Sequence, residues 1–247
     1  MILFTDLDNT LIYSYKHDIG KHKRCVEIYE GRQISFITEK TYELLKKASS
    51  LLTIIPVTTR TVEQYNRIDL GLGGFSYALA CNGGVLLKNG EEDNDWYRES
   101  QQLVAYAVPE LYKAEHILKT DSNVDFEVRS IRGLFIFTKS REPDKTVRLL
   151  KGELDPELAG VYRNGAKVYV VPNTLNKGLA CERLKKCFPD EAFLSGGDSE
   201  FDIPMLMAAD AAVCPAFLKN RPENAVTVSS GELLSERMLS LAVSLSE

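Results

Sequence analysis

The stretch Met1-Ile2-Leu3-Phe4-Thr5-Asp6-Leu7-Asp8-Asn9-Thr10-Leu11 decides how the chain is read. Its opening apolar run predicts a short buried strand. Side chains alternate along extended backbone, so Asp6 and Asp8 are expected on one side and Leu7 on the other, toward the core. Two carboxylates in one small volume stay ionised only if a cation neutralises them; otherwise one keeps a proton. That is the condition for metal binding and for nucleophile or acid–base work. A turn rich in Asp and Asn after a strand would use the same residue types, so residues elsewhere in the chain must decide between the two readings.

The bulk properties exclude several classes. With 247 residues, 44% apolar and 26% charged, the chain has the composition of a soluble globular protein, and its length allows one large domain or two smaller ones. A net charge of −5 lacks the basic footprint of a nucleic-acid partner. Five scattered cysteines without a C-x-x-C pair support neither a disulfide framework nor a zinc site. The sequence does not open with a basic region and an apolar stretch, and nowhere do about 18 apolar residues run together. No membrane partner and a cytoplasmic location are therefore expected.

Working outward from the first strand, residues 13–38 carry Lys16, His17, Lys21, His22, Lys23 and Arg24, then alternate around Glu30-Gly31 as a β-hairpin would. Such a hairpin could stand over the two acids as a flap, or be a solvated basic loop. Thr38 is placed to cap a helix over 39–49. Leu51–Val57 is a second buried strand and ends in Thr58-Thr59-Arg60. Strand, helix, strand is a βαβ unit, so the two strands are expected to lie parallel with their carboxyl ends on one edge. In open α/β sheets that edge binds ligands. Residues 77–87 add short strands around Cys81-Asn82-Gly83-Gly84, and the polar stretch 88–95 suggests a crossing into another module. That module shows helices, strands at 124–128 and 134–138 joined by a loop bearing Arg129 and Arg132, a helix at 143–154, and strands near 160–163 and 167–171: a small α+β unit with a mostly antiparallel sheet.

Beyond it, Lys177 opens an amphipathic helix. A cation is better placed at a helix carboxyl terminus, so an anion is expected opposite it. The run Phe193-Leu194-Ser195-Gly196-Gly197-Asp198-Ser199-Glu200-Phe201-Asp202 then brings a strand, a tight turn and two more acids, with Pro204 at a first helical position. Strands at 211–213 and 225–228 and a helix from about 232 close the chain.

Taken in order, Asp-x-Asp-x-Thr, a strand-ending Thr, a helix-opening Lys and Gly-Asp-x-x-x-Asp put four acids, a hydroxyl and an ammonium on one edge. Such a set makes physical sense around a divalent metal and a phosphoryl group. It resembles the haloacid dehalogenase superfamily of phosphatases and, through "CNGG" and "NKG", its Cof-type and sucrose-phosphatase-like members. The resemblance implies a Rossmann-like parallel-sheet core in two parts, 1–88 and 166–247, with an α+β cap inserted at 89–165. It implies that Asp6 is a nucleophile forming an aspartyl-phosphate and Asp8 the general acid and base. Mg²⁺ would be held by Asp6, Asp8 through its main-chain carbonyl, Asp198 and, nearby, Asp202. Thr58 and Lys177 would bind phosphoryl oxygens. Thr59, Arg60, Asn82, Arg129, Arg132, Lys21, Lys23 and Arg24 are candidate substrate contacts.

One departure stands out. Relatives commonly carry Asn before the last acid, where this chain has Phe201. The expected function is hydrolysis of a small phosphorylated metabolite such as a sugar phosphate. A phosphosugar mutase would use the same aspartate, and a receiver-like phosphate-sensing module would use a similar acidic cluster with Thr and Lys.

Overall fold

The computed structural model describes residues 1–247. They form two compact units, Met1–Asp93 with Lys177–Glu247, and Asn94–Asn176.

The first unit is built on a five-stranded sheet in the order Val226–Val228, Ala211–Pro215, Phe193–Gly196, Ile2–Thr5, Thr53–Pro56, with every neighbouring pair parallel. The expected βαβ unit is present: Ile2 to Thr5 pair in register with Thr53 to Pro56. Between them runs the helix Glu39–Leu51, whose N-terminus is capped by Thr38, the Thr41 N–H donating to the Thr38 hydroxyl at 2.9 Å. Leu3 and Leu194 point to one face of the sheet and join Leu7, Ile37, Leu45, Val213, Met238 and Leu239 in the main core. Phe4 points to the other face and stacks on Phe193 at 5.6 Å between centroids. The helix Leu234–Ser246 packs beside Glu39–Leu51, and the hydroxyls of Thr41 and Ser235 meet at 2.9 Å between them.

Gly196 and Gly197 are required for closeness of approach. A Cβ on Gly196 would lie 2.1 Å from the Met238 sulfur, and one on Gly197 would lie 2.3 Å from the Asp202 Cβ. The pair therefore lets the strand end press against the carboxyl-terminal helix on one side and receive Asp202 on the other.

The hairpin expected after the first strand is formed by Lys23–Tyr29 and Arg32–Thr38, with Tyr13–Ser14 on the far side of the latter. Glu30 and Gly31 have φ of 50° and 74°, the left-handed pair that a two-residue turn matching strand twist demands. The strand Lys23–Tyr29 is bulged around Glu27, so Val26 and Glu27 are both buried while Ile28 is exposed.

The second unit carries a four-stranded antiparallel sheet in the order Ala159–Asn164, Lys167–Pro172, Phe135–Lys139, Arg129–Ile131. The helices Val108–Thr120 and Pro143–Glu153 bring Leu111, Ala114, Leu118 and Leu150 against Ile136, Val161, Val168 and Val170. Two details differ from the sequence reading. The strand is Arg129–Ile131 and not 124–128, where only Val124 makes an isolated bridge to Ser140, and the hairpin turns at Arg132-Gly133, both left-handed, rather than in a longer loop. Lys167–Pro172 pairs along its length within this sheet, so the unit runs to Asn176, past the expected return to the core at 166. At the other crossing, Asn89-Gly90 is the left-handed turn of a hairpin joining Val85–Lys88 to Glu91–Glu92 in the first unit. A polar, turn-rich stretch reads alike as linker or hairpin turn, which is why the crossing lies later than residue 88.

Candidate active site

The buried ammonium of Lys177 lies between two buried carboxylates on the carboxyl-terminal edge of the parallel sheet. Its Nζ donates at 2.5 Å to Asp6 Oδ1 and at 2.5 Å to Asp202 Oδ1. The anion expected opposite this helix-opening lysine is thus a pair of the chain's own acids. Lys177 reaches them because Gly178 has no side chain: a Cβ there would fall 2.4 Å from the Pro204 carbonyl oxygen, which would push the helix Lys177–Lys185 off the turn bearing Asp202. Asp202 is held through its other oxygen, Oδ2 accepting the Asp198 N–H, the Ser199 N–H and the Ser199 hydroxyl at 3.1, 2.9 and 2.8 Å.

Asp198 completes a cluster with Asp6 and Asp202 in which one oxygen of each lies within 4.8 Å of the others. Its Oδ1 accepts the Thr10 hydroxyl at 3.3 Å. Burial, and then the charge of Asp202, push the Asp198 carboxyl up to about 7 against the pull of Lys177. Burial raises Asp6 well above the ordinary carboxylate range, Lys177 opposes the rise, and Asp202, Asp198 and Asp8 add to it. Lys177 loses solvation on burial, yet the two carboxylates more than compensate and hold it protonated, above its ordinary value. One ammonium therefore does not balance the charge of three acids. Close carboxylate oxygens carrying excess negative charge fit a hard divalent cation such as Mg²⁺.

Asp8 lies outside that cluster. The strand ends at Thr5, and residues 7–12 form a tight turn in which the Thr10, Leu11 and Ile12 amides all donate to the Leu7 carbonyl and Asn9 has a φ of 61°. The Asp8 carboxylate is gripped by Arg60, Nε to Oδ2 and Nη2 to Oδ1, both at 2.7 Å. The opposite edge of the guanidinium binds Glu27, Nη2 to Oε2 at 3.0 Å and Nη1 to Oε1 at 2.9 Å, and Nη1 also donates to the Gln64 carbonyl at 3.2 Å. Nε, both Nη2 hydrogens and one Nη1 hydrogen are thereby hydrogen-bonded, and Nη1 is also in ion-pair contact with Glu27. The candidate substrate contact Arg60 is thus held between Asp8 and Glu27.

Thr58 is buried at the end of Thr53–Pro56, next in the sheet to the Asp6 strand, and its hydroxyl oxygen accepts the Arg60 N–H at 3.1 Å. Main-chain bonds from Cys81 to Arg60 and from Asn82 to Thr58 join this loop to the turn bearing the buried Asn82. Thr59 is half-buried beside it.

Four of the remaining candidates, Lys23, Arg24, Arg129 and Arg132, have partners of their own. Arg24 stacks on Tyr42 at 3.5 Å and binds Glu39, and Lys23 lies over Phe36 at 4.7 Å; Lys21 is exposed. In the second unit Arg129 pairs with Glu127 and lies over Phe126, while Arg132 lies over Tyr97, whose hydroxyl donates to the Arg132 carbonyl. Phe201 is buried. Sequence reasoning missed Glu27 and Arg67, whose Nε donates to Glu27 at 3.1 Å. Alternation with Val26 and Ile28 assigns Glu27 to the solvent side, so only the bulge reveals it.

Comparison with known proteins agrees with this architecture. The family model of haloacid dehalogenase-like hydrolases matches residues 89–225, more than half of the chain. Among solved structures, the sucrose-phosphatase of Synechocystis sp. PCC6803, in complex with sucrose and phosphate, is similar with a TM-score of 0.66 and 16% identity over 98% of this chain and 96% of that one. A trehalose-6-phosphate phosphatase of Aspergillus fumigatus is similar with a TM-score of 0.55 and 15% identity over 99% and 93%. A haloacid dehalogenase-like hydrolase from B. subtilis gives 0.58 and 15% over 96% and 98%. At such identities the likeness speaks for the fold. No curated protein matches the chain in sequence. With the parallel sheet, the acidic edge and the family match in hand, the chain belongs to the haloacid dehalogenase-like hydrolases.

Proposed function

We propose that this protein is a Mg²⁺-dependent phosphatase of small phosphorylated metabolites that works through an aspartyl-phosphate on Asp6. The observation that carries the reading is the Asp6–Lys177–Asp202 contact beside Asp198: a buried carboxylate held ready by an ammonium, in a site with more negative charge than the ammonium offsets. An Asp6 oxygen attacks phosphorus, and the bond from phosphorus to the ester oxygen breaks. Asp8, which enters the cycle with one oxygen protonated and released from Arg60, gives its proton to the departing alcohol. Water then attacks the aspartyl-phosphate as Asp8 takes a proton back, inorganic phosphate leaves, and Asp6 is restored.

Lys177 and the Thr58 hydroxyl would hold phosphoryl oxygens, the first by exchanging part of its contact with Asp6 for the substrate, the second with the hydrogen left over when its oxygen accepts from Arg60. Asp6, Asp198 and Asp202 would hold Mg²⁺, with the Asp8 main-chain carbonyl as a further oxygen ligand. Bound there, the cation offsets the carboxylate charge and the charge on the transferring group. Sugar phosphates are the substrate class of choice, since two of the similar structures are phosphatases of sucrose and trehalose phosphates by name. Arg129, Arg132, Thr59, Asn82 and the basic hairpin residues remain candidates for substrate contacts.

The test is release of inorganic phosphate from an aryl phosphate and from a panel of sugar phosphates, with Mg²⁺ and with excess chelator. Mg²⁺-dependent release supports the reading. Phosphate shifted between positions of a sugar without release would turn it to a mutase, and binding without turnover to a sensor.

A further inference from the structure

The hairpin that follows the first strand contributes a carboxylate with none of the usual uses of a surface acid. Glu27 is fully buried as a side chain, and its two oxygens accept from three residues on three separate segments. Oε2 takes the Ser35 hydroxyl at 2.6 Å and Arg60 Nη2 at 3.0 Å; Oε1 takes Arg67 Nε at 3.1 Å and lies in ion-pair contact with Arg60 Nη1 at 2.9 Å. Its main chain is held as well, by an antiparallel bridge to Ile68 and the Asp69 N–H on the Val26 carbonyl. The bulge that turns Glu27 inward is a local departure from regular pairing, of the kind that re-aims a side chain near active sites.

What Glu27 gains by this is control of one edge of Arg60. Asp8 is half-exposed and sits on a turn, and the Arg60 fork grips both of its carboxylate oxygens. A guanidinium fork can fix the carboxylate plane, provided the long arginine side chain is itself immobilised. Glu27, the Gln64 carbonyl and burial do that here. We infer that Glu27 is a positioning residue that acts through Arg60 to orient the Asp8 carboxylate toward the leaving group. The inference rests on the reading of Asp8 as proton donor and acceptor. Outer partners of this kind, when removed, typically cost about 10- to 100-fold in metal sites, and a comparable loss is expected here.

The experiment compares Glu27→Gln, Asp8→Asn and the double variant on an alkyl phosphate and an aryl phosphate, in Mg²⁺. Glu27→Gln is expected to lower kcat on the alkyl ester on the order of 10-fold or more, to lower it less on the aryl ester, whose leaving group needs little protonation, and to leave KM nearly in place. In the Asp8→Asn background the same change should cost nothing further on the aryl ester, because the group it orients is gone. A loss of equal size in both backgrounds would mean that Glu27 only supports the fold, and overturns the inference. Wild-type turnover by Asp8→Asn alone would instead overturn the reading of Asp8 on which it stands. If Glu27→Gln does not fold, Ser35→Ala serves. It removes one hydrogen bond to Glu27 and should reproduce the alkyl-over-aryl sensitivity at a few-fold level, again only when Asp8 is present. Equal losses on both esters in Ser35→Ala would overturn the inference as well.

Discussion

Arg60 binds Asp8 and Glu27 at once, one edge of the guanidinium on each carboxylate, with the two bonds to Asp8 both at 2.7 Å. This separates the two acids of the opening motif by environment. Asp6 answers to a buried ammonium and two further carboxylates, Asp8 to an arginine at the border of solvent. Two carboxylates one residue apart can take different roles when their surroundings push them apart in this way.

Asp6→Asn should abolish turnover, with a loss on the order of a thousandfold or more, since removing a residue of a covalent catalytic unit costs at least that much in well-studied enzymes. The fold should survive, because the amide keeps the volume and can still accept from Lys177. Steady-state kinetics beside circular dichroism tests both parts, and near-normal kcat in a folded variant would remove Asp6 as nucleophile.

Lys177→Ala should be damaging even without substrate. The ammonium is buried, and its removal leaves Asp6 and Asp202 facing each other unpaired. Breaking a buried ion pair by removing one partner costs about 3–5 kcal/mol. Denaturant unfolding of the metal-free variant measures it; a loss below about 1 kcal/mol, the scale of an exposed pair, would contradict the burial.

Mg²⁺ should stabilise the protein more at pH 8 than at pH 5. Asp198 in the metal-free fold is pushed up to about 7 from an ordinary value near 3.8. A carboxyl that holds its proton more tightly in the folded state stabilises that state below the unfolded value. The contribution is lost as pH rises from about 4 through about 7. Mg²⁺ reverses the penalty by binding the ionised form, and its binding adds to stability by mass action. Thermal unfolding with Mg²⁺ and with chelator at the two pH values checks it, and an equal shift at both would argue against a metal at Asp198.

In the second unit, Asp121 should matter in the opposite sense. Burial would raise its carboxyl, but the Thr146 hydroxyl at 2.6 Å and the main-chain and side-chain N–H groups of Asn123 at 2.9 and 2.8 Å prevail and hold it below the ordinary value. Its contribution is present above pH 4 or so and is lost as pH falls through the folded value. Asp121→Asn should cost about 1 kcal/mol near neutrality, the scale of a hydrogen bond. The difference in Tm between variant and wild type should shrink toward pH 3; a constant difference would assign the loss to packing.

The sequence by itself determined the parallel sheet and the edge on which the acids gather. Ile2–Thr5, Thr53–Pro56 and Phe193–Gly196 are short, largely apolar runs that lead into Asp6, Thr58 and Asp198, and parallel pairing with intervening helices leaves those ends on one side whatever the details of packing. Thr38 as a cap and Glu30-Gly31 as a turn were legible for the same reason: each satisfies a demand of the backbone that acts over a few residues. Partners were not legible. That Lys177 meets Asp6 and Asp202, that Asp8 turns to Arg60, and that Arg24 lies on Tyr42 depend on distances between segments far apart in the chain. Glu27 shows the limit most clearly. Period-two alternation assigns it to solvent and Ile28 to the interior, and one bulge reverses both. Only tertiary structure decided that reversal, because a buried carboxylate is tolerated only where arginines and a hydroxyl from other segments already stand to receive it.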